Sequence, residues 1–268
     1  MIILKDVKIV FIDLDDTLKD SNQKVSIRNK KIFDKLIDKG VLVVFITGRS
    51  LSYTMSLSKQ FSSSSYVVSS NGAEIYNYGS KKKLYQSILN KDDLVKLSEI
   101  IKKYNLYFIA NAFLTSYSNK DFGDPGKKRV SSLDEVNEDI SQLVVESFDL
   151  NSMKLFRRDI AELTNIKIIN KSSNVSSDKI LFYDITNNEV SKVSAIKKVC
   201  DYLNIDVSDA MAIGNGDEDI EMLQAVGVGV AMGNATDGLK AVAKVITDTN
   251  DNEGVALVLE KLYNEYIA

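Results

Sequence analysis

The stretch KIVFIDLDDTL, residues 8–18, joins an apolar run that reaches Ile12 to aspartates at positions 13, 15 and 16. An unbroken apolar run of this length is typical of a strand that is buried on both faces of a parallel sheet. Carboxylates placed close together repel, and burying them is costly unless a cation lies between them. The stretch therefore predicts a buried strand that ends in a site, with water or a positively charged partner beside the carboxylates.

The segments on either side of this strand alternate between helix and strand patterns. A helix is predicted from about Ile27 to Lys39, where Gly40 ends it, and a second buried strand follows at Val41–Ile46. Further strands are predicted in SYVVSSNGAEI, DAMAI, VGVGVAM and AKVIT, and a closing helix begins near Glu253. This alternation predicts an α/β fold with a doubly wound parallel sheet, a Rossmann-like core domain.

The middle of the chain, about residues 80–183, has a different pattern. It combines a helix at Lys91–Tyr104 with strand candidates in LYFIA, MKLFRR, IKIIN and KILFYDI. We predict that residues 80–183 form an α+β domain inserted into a core made of residues 1–79 and 184–268. The two crossings, near Gly79 and Asp184, are expected to be flexible linkers.

Composition excludes several classes of function. The chain has 34 basic and 37 acidic residues, so it lacks the positive charge that nucleic acids or anionic lipids attract. It contains no histidine, which removes serine–histidine triads and histidine-bound zinc, and its one cysteine, Cys200, is predicted to lie in the core. No apolar run reaches membrane-spanning length and no signal peptide is recognised, so we predict a cytoplasmic protein without an obligate protein partner.

Polar segments follow four of the predicted core strands: DLDDT, TGR, SSNGA and GNGDED. In open parallel sheets, sites form beyond the carboxyl ends of the strands, so these segments are expected to meet. Asp13 and Asp15 offer hard oxygen ligands that suit magnesium, Thr47 offers a hydroxyl for a phosphate oxygen, and Lys192 offers a fixed positive charge. A carboxylate, a metal ion, a hydroxyl and a lysine around one oxyanion indicate phosphoryl transfer.

The same motifs resemble the haloacid dehalogenase superfamily, in particular the Cof-type phosphatases with a large α/β cap. DLDDTL is similar to the first motif, Asp-x-Asp-x-Thr, TGR to the second, EVSKVSAI to the third, and GNGDEDIEML to the acidic fourth. NGA and VGVAMGNA are also typical of the subgroup. The resemblance covers roughly Lys5–Ile75 and Asp184–Ile267, and the inserted domain corresponds to the cap by position and size only. A cap of this kind would close over the site, exclude bulk water and select the substrate.

The resemblance implies a role for each matched residue. Asp13 would be the nucleophile and Asp15 the general acid and then base, while Lys192 would orient Asp13 and Asp219 would hold the lysine or a metal-bound water. The expected catalytic residues are Asp13, Asp15, Thr47 and Lys192. The expected substrate-binding residues are Thr47, Gly48, Arg49, Asn71 and Asn234. The expected magnesium ligands are Asp13, Asp15 through its main-chain carbonyl, Asn215 and Asp219.

The fourth motif departs from the family pattern Gly-Asp-x-x-Asn-Asp. Asn215 stands at the usual metal-binding aspartate and Glu218 at the usual asparagine, and the third motif has Val193 where a glycine is usual. The prediction is a magnesium-dependent phosphatase of a small phosphorylated metabolite, with sugar phosphates first and flavin or pyridoxal phosphates next. The alternatives are a weakened member that binds such a metabolite without hydrolysing it, and a phosphomutase. A nucleotide-binding protein fits less well, because GVGVAMG lacks the spacing of a dinucleotide-binding loop.

Overall fold

The computed structural model describes residues 6–61, 66–121, 126–175 and 178–267. The chain divides into two compact units. One comprises Met1–Gly48, Thr54–Leu84 and Ser191–Ala268, and the other comprises Arg49–Tyr53 and Tyr85–Val190.

The strands and helices are numbered along the chain. The strands are β1 (Ile9–Ile12), β2 (Leu42–Ile46), β3 (Tyr66–Ser69), β4 (Glu74–Asn77), β5 (Lys82–Gln86), β6 (Tyr107–Ala112), β7 (Thr115–Ser118), β8 (Lys127–Arg129), β9 (Gln142–Ser147), β10 (Ile166–Val175), β11 (Asp178–Asn187), β12 (Ala210–Gly214), β13 (Val228–Ala231) and β14 (Val245–Ile246). The helices are α1 (Ile27–Asp38), α2 (Leu51–Ser58), α3 (Lys91–Lys103), α4 (Leu150–Asp159), α5 (Lys192–Leu203), α6 (Ile220–Ala225), α7 (Asp237–Val242) and α8 (Gly254–Ile267).

The first unit is built on a sheet with the order β14-β13-β12-β1-β2-β3-β4-β5. The strands from β14 to β3 are parallel, whereas β4 returns antiparallel to β3. Strand β1 lies between β2 and β12, and every residue of β1 is fully buried. Its apolar sequence is the expected consequence, because a central parallel strand has no solvent-facing side.

Helix α1 shows how the local sequence sets an element and directs it to this sheet. The Ser26 side chain accepts a hydrogen bond from the N–H of Asn29 and so caps the first turn. Ile32, Phe33 and Leu36 are all buried, since their spacing places them on one face of the helix. The apolar periodicity that predicts this helix from the sequence is therefore the pattern of its buried face.

The second unit contains a sheet with the order β10-β11-β9-β6-β7-β8. Its strands pair antiparallel except for β7 and β8. A separate apolar core includes Leu97, Phe108 and Phe156. A parallel α/β core and a second, mostly antiparallel sheet with helices are the two parts that the sequence predicts.

Two details of the second unit differ from the sequence predictions. The segment MKLFRR is helical rather than extended, because it lies in α4, where Met153 and Phe156 are completely buried at helical spacing, as is Ile160 directly after the helix. Residue 184, predicted as a crossing between domains, lies inside β11. There Asp184 pairs with Ile169 on one side and Val144 on the other, so its backbone is held in the sheet.

The part of the chain that the structure describes contains no helix that is both long and apolar enough to cross a bilayer. The side chain of Cys200 is buried in α5, as the sequence predicts. Burial raises the pKa of the Cys200 thiol to about 11, so it stays protonated near neutral pH.

Candidate active site

A buried lysine joins the first and fourth motifs. Asp13 follows β1, Lys192 is the first residue of α5, and Asp219 precedes α6. The Nζ atom of Lys192 lies 2.7 Å from Oδ1 of Asp13, across 179 positions of sequence, and 2.6 Å from Oδ1 of Asp219. All three residues are buried, so the cation between the carboxylates offsets the repulsion that the sequence implied.

The main chain fixes the Asp219 carboxylate from its other side. Its Oδ2 atom accepts hydrogen bonds from the N–H groups of Asn215, at 3.0 Å, and Gly216, at 3.2 Å. A Cβ atom at Gly214 would lie 2.5 Å from this same oxygen, so only glycine leaves room for the carboxylate. Glycine is therefore required at position 214 by the neighbouring carboxylate of the site, and not by the strand that contains it.

The start of α5 is fixed in a similar way. The side chain of Ser191 accepts from the N–H of Ser194, whose hydroxyl in turn accepts from the N–H of Ser191. This reciprocal cap sets the first turn and with it the direction of Lys192. Gly72 lies against the same turn with a φ of +108°, and a Cβ there would meet the carbonyl oxygen of Ser191 at 2.3 Å.

The electrostatics of the pair follow from this burial. Burial raises the pKa of Asp13 to about 7, against the opposing effect of the Lys192 charge. Burial alone would lower the pKa of Lys192, but the charges of Asp13 and Asp219 outweigh it and raise that pKa above its usual value. Lys192 is thus a permanent cation, and the Asp13 carboxylate lies in a setting that disfavours its charge unless positive charge is near.

Asp15 lies in an irregular turn between β1 and α1. The segment Leu14–Leu18 contains Asp16 in a left-handed conformation, with φ of 56°. Nζ of Lys19 forms an ion pair with Oδ1 of Asp15 and a 2.6 Å hydrogen bond with Oε1 of Gln23. The side chain of Lys19 is only 1% exposed, whereas that of Asp15 is 31% exposed.

Two asparagines brace this turn from the other end of the sequence. The Nδ2 atom of Asn234 donates to the main-chain oxygen of Asp16 at 2.8 Å, and its Oδ1 accepts from the N–H of Asn250. The Nδ2 atom of Asn250 donates to the main-chain oxygen of Lys19 at 3.0 Å. Asn234, expected to contact substrate, is exposed and lies against the turn that carries Asp15.

Asn215 lies beside the threonine of the first motif. Its Oδ1 accepts a 2.9 Å hydrogen bond from Oγ1 of Thr17, which leaves the amide oxygen oriented toward the first motif. Asp217 is instead bonded through Oδ1 to Oγ1 of Thr236, at 2.5 Å, and the exposed Glu218 carboxylate folds over the Cα of Gly216. Among the described residues, no three acidic, histidine or cysteine side chains form a group suited to a metal ion.

The second and third strands bring two more predicted residues together. Thr47 and Asn71 are both buried, and the N–H of Asn71 donates to the main-chain oxygen of Thr47 at 3.0 Å. Asn71 has a φ of 59°, which turns the chain between β3 and β4. Gly48 ends its segment of the first unit, whereas Arg49 belongs to the second, where its guanidinium lies 5.3 Å from the centre of the Tyr53 ring.

Sequence reasoning gave no role to Thr17, Lys19 or Asn250. Thr17 belongs to the quoted first motif, so its position was visible although its contact with Asn215 was not. The Asp15–Lys19 spacing of four residues is a recognisable signal for an ion pair. Asn250 carried no signal, since its contact with Lys19 joins residues 231 positions apart.

A family model described as haloacid dehalogenase-like hydrolase matches residues 10–259. The chain belongs to this family. It is 29% identical to the 5-amino-6-(5-phospho-D-ribitylamino)uracil phosphatase YcsE of Bacillus subtilis over 94% of each protein, and 27% identical to phosphatase YwpJ of the same species over 95% of this chain and 99% of that one. A solved haloacid dehalogenase-like hydrolase from Bacteroides thetaiotaomicron shares the fold, with a TM-score of 0.82, 23% identity and coverage of 96% and 99%.

These comparisons confirm the predicted family and the predicted fold class, a doubly wound α/β core with an α+β cap. They also confirm that the chain is an enzyme, a phosphoric monoester hydrolase of the haloacid dehalogenase type. The roles of individual residues remain predictions, and so do the limits of the cap, apart from the crossing at Asp184, which lies inside β11.

Proposed function

We propose that this hydrolase is a magnesium-dependent phosphatase that acts on a small phosphorylated metabolite through a phosphoryl group carried by Asp13. The observation that best supports the proposal is Lys192, held between Asp13 and Asp219 at 2.7 Å and 2.6 Å in a buried setting. A fixed cation beside a carboxylate keeps that carboxylate ionised and limits its rotation. Both are needed for an aspartate to act as a nucleophile.

The proposed reaction has two steps. In the first, a carboxylate oxygen of Asp13 attacks phosphorus, the bond from phosphorus to the ester oxygen breaks, and Asp15 donates a proton to that oxygen. In the second, Asp15 takes a proton from a water molecule as the water oxygen attacks the phosphorus held by Asp13. The bond from phosphorus to the Asp13 oxygen breaks, phosphate leaves, and both side chains return to their starting states.

The donor set fits a magnesium ion. Asp13, the main-chain carbonyl of Asp15 and the side-chain oxygen of Asn215 supply only hard oxygen atoms, which magnesium prefers. The positive charge of magnesium would counter the effect of burial, which raises the pKa of Asp13 to about 7. When bound, magnesium supplies charge neutralisation for the phosphoryl oxygens. Asp219 contributes indirectly, because the main chain and Lys192 already occupy its two oxygens.

Our proposal for the substrate is the phosphate ester of a primary hydroxyl on a sugar or a sugar alcohol. Sugar phosphates are the first candidates from the sequence. The name of the Bacillus subtilis relative, a phosphatase of a phosphoribityl compound, supports the same chemical class. Thr47 and Asn71, joined at the ends of β2 and β3, are the proposed contacts for the phosphoryl oxygens.

The neutral side chain of Asn215, which contacts Thr17, favours one alternative function. A neutral amide at this position removes a negative charge from the metal ligands, and such a site could hold a phosphorylated metabolite without turning it over. Phosphoryl transfer to a second sugar hydroxyl, the reaction of a phosphomutase, is a further alternative that differs only in the final acceptor.

The decisive experiment incubates the purified protein with magnesium and a panel of phosphorylated metabolites. The panel includes hexose and pentose phosphates, flavin mononucleotide, pyridoxal phosphate and 5-amino-6-(5-phospho-D-ribitylamino)uracil. Release of inorganic phosphate supports the proposal, whereas a phosphorylated sugar isomer as product identifies a mutase. Binding of panel members without turnover identifies the weakened binding protein.

The matched variants are Asp13→Asn and Asp15→Asn. Asp13→Asn keeps the shape of the side chain but removes the nucleophile, so turnover should fall by several orders of magnitude. Asp15→Asn should lower turnover roughly 10²–10⁴-fold, because the leaving oxygen loses its proton donor. Asp16→Asn is the control, since Asp16 is exposed in the same turn and has no proposed chemical role. Full activity in Asp13→Asn would refute the assignment of the nucleophile.

A further inference from the structure

Lys19 carries a buried charge, next to Asp15, that the proposed reaction has not used. The Lys19 side chain is only 1% exposed, and its ammonium group contacts Oδ1 of Asp15. The Oε1 atom of Gln23 accepts a hydrogen bond from the same ammonium group at 2.6 Å. A lysine is rarely buried to this extent unless it is paired, because removing its charge from water costs free energy. The contact with Asp15 offsets that cost.

The backbone of Lys19 is held as firmly as its side chain. Its N–H donates to the carbonyl of Leu14 at 3.0 Å, which closes the irregular turn, and its carbonyl accepts from Asn250 at 3.0 Å. Asn234 holds the same turn through the carbonyl of Asp16. Lys19 is therefore held through its main chain as well as through its ammonium group, and its placement does not depend on Asp15 alone.

We propose that Lys19 is a positioning residue for the proton transfer by Asp15, a role that rests on the proposed phosphatase function. Lys19 holds one oxygen of the Asp15 carboxyl group in the protein, while the 31% exposure of the side chain leaves the group open to solvent on its other side. The carboxyl group is thereby fixed in one orientation, with Oδ2 as the atom that carries the proton.

The charge of Lys19 also acts during the reaction step. As the ester bond from phosphorus to oxygen breaks, the proton on Oδ2 of Asp15 moves to the leaving oxygen, and the carboxyl group becomes a carboxylate. Negative charge therefore develops beside an ammonium group that is already in place and mostly removed from water. A preorganised charge of this kind stabilises the transition state without reorganisation at the moment of reaction.

This role predicts a dependence on the leaving group. Nitrophenolate is stable as an anion and departs without a proton, whereas an alkoxide needs one. Loss of Lys19 should therefore harm the hydrolysis of alkyl phosphates more than that of activated aryl phosphates. A purely structural role for Lys19 would harm all esters by the same factor.

The test measures kcat/KM with magnesium for 4-nitrophenyl, phenyl and benzyl phosphate, three esters of similar size. kcat/KM reports the steps up to departure of the leaving group, where Asp15 acts as an acid. Lys19→Met should lower kcat/KM for benzyl phosphate at least about tenfold more than for 4-nitrophenyl phosphate, with phenyl phosphate between them. Lys19→Arg keeps the charge and should restore much of the difference.

Lys24→Met is the control, because Lys24 is exposed and its N–H, rather than its ammonium group, bonds to Asp20. It should leave all three values unchanged. If circular dichroism shows that Lys19→Met does not fold, the comparison of Lys19→Gln with Lys19→Arg replaces it, since both keep a polar head group and only one is charged.

Equal losses for the three esters, or no loss at all, would overturn the role of Lys19 while leaving the phosphatase proposal intact. An arginine variant that is no better than methionine would also overturn it. Failure of the wild-type protein to hydrolyse any of the esters or any metabolite of the panel would instead refute the proposed function, and with it the role of Lys19.

Discussion

Removal of the Asp219 side chain is the most severe change that the site predicts for stability. Asp219→Ala takes one of two carboxylates away from Lys192, which is buried with only 8% of its side chain exposed. It also removes the acceptor for the N–H groups of Asn215 and Gly216. The variant therefore leaves a buried cation half-compensated and two amides without their protein partner.

The magnitude follows from these three lost contacts. Breaking a buried ion pair costs about 3–5 kcal/mol, and an unsatisfied buried amide costs about 1–3 kcal/mol. The Asp13–Lys192 pair survives, and Asn215 and Gly216 are partly exposed, so water can replace some of the lost bonds. We expect a loss of about 3–5 kcal/mol in total, a large share of the 5–15 kcal/mol that is typical of a folded domain.

The assay is urea unfolding followed by far-ultraviolet circular dichroism, because the chain has no tryptophan to report on the core by fluorescence. Asp219→Asn is the graded variant, since it keeps an oxygen acceptor and removes only the charge. Asp217→Ala is the control: this residue is exposed and bonds to the hydroxyl of Thr236. Two compact units can unfold in separate transitions, so each midpoint is fitted on its own.

The expected order of stability is wild type and Asp217→Ala together, then Asp219→Asn, then Asp219→Ala. A loss below about 1 kcal/mol for Asp219→Ala would refute the reasoning, because it would be no larger than the median for an exposed ion pair. In that case Lys192 must be satisfied by Asp13 and water alone, and the three-residue arrangement would not hold the site together.

Further predictions concern the metal ligands and the second unit. Asn215→Asp should tighten the apparent magnesium affinity, because charge on the ligands sets affinity for hard cations, and adding Glu218→Asn should do so without extra net charge. Titration of activity against magnesium tests both, and a wild type that saturates at lower magnesium than the double variant would contradict the idea. In the second unit, hydrogen bonds from Lys103 and Tyr104 lower the pKa of Asp159, so its stabilising effect is present at neutral pH and is lost as pH falls. Asp159→Asn should therefore flatten the fall in stability below about pH 5, and an unchanged acid profile would show that these bonds carry no such linkage.

The core unit could be predicted well because its strands are apolar throughout and end abruptly in polar motifs. Helix α5 begins at Lys192, because Ser191 caps it and Ile196 and Val199 repeat at helical spacing. For the segment MKLFRR of the second unit the sequence predicts a strand, whereas the structure has a helix. Its short run of mixed apolar and charged residues is compatible with the apolar periodicity of a helix and with that of a strand. Packing against the buried core of the second unit selects the helix.

At the candidate site, the sequence predicts some residues and misses others for a different physical reason. The motifs located Asp13, Thr47, Lys192 and Asp219, because each follows a strand or begins a helix at the same edge of the sheet. The burial of Lys19 could not be read from the sequence, since a lysine in a polar turn is ordinarily exposed. Tertiary contacts from a distant loop, through Asn250, hold that turn in place.

The contact between Lys192 and Asp13 spans 179 positions, and this has a consequence for the newly made chain. At synthesis rates of roughly 5–20 residues per second, Asp13 is made on the order of 10–40 seconds before Lys192. During that time β1 has neither its cation nor its neighbour β12, because both come from the end of the chain. The completed second unit therefore exists before the first unit can close its central strand, and nascent chains halted before residue 192 should expose β1 to proteases and chaperones.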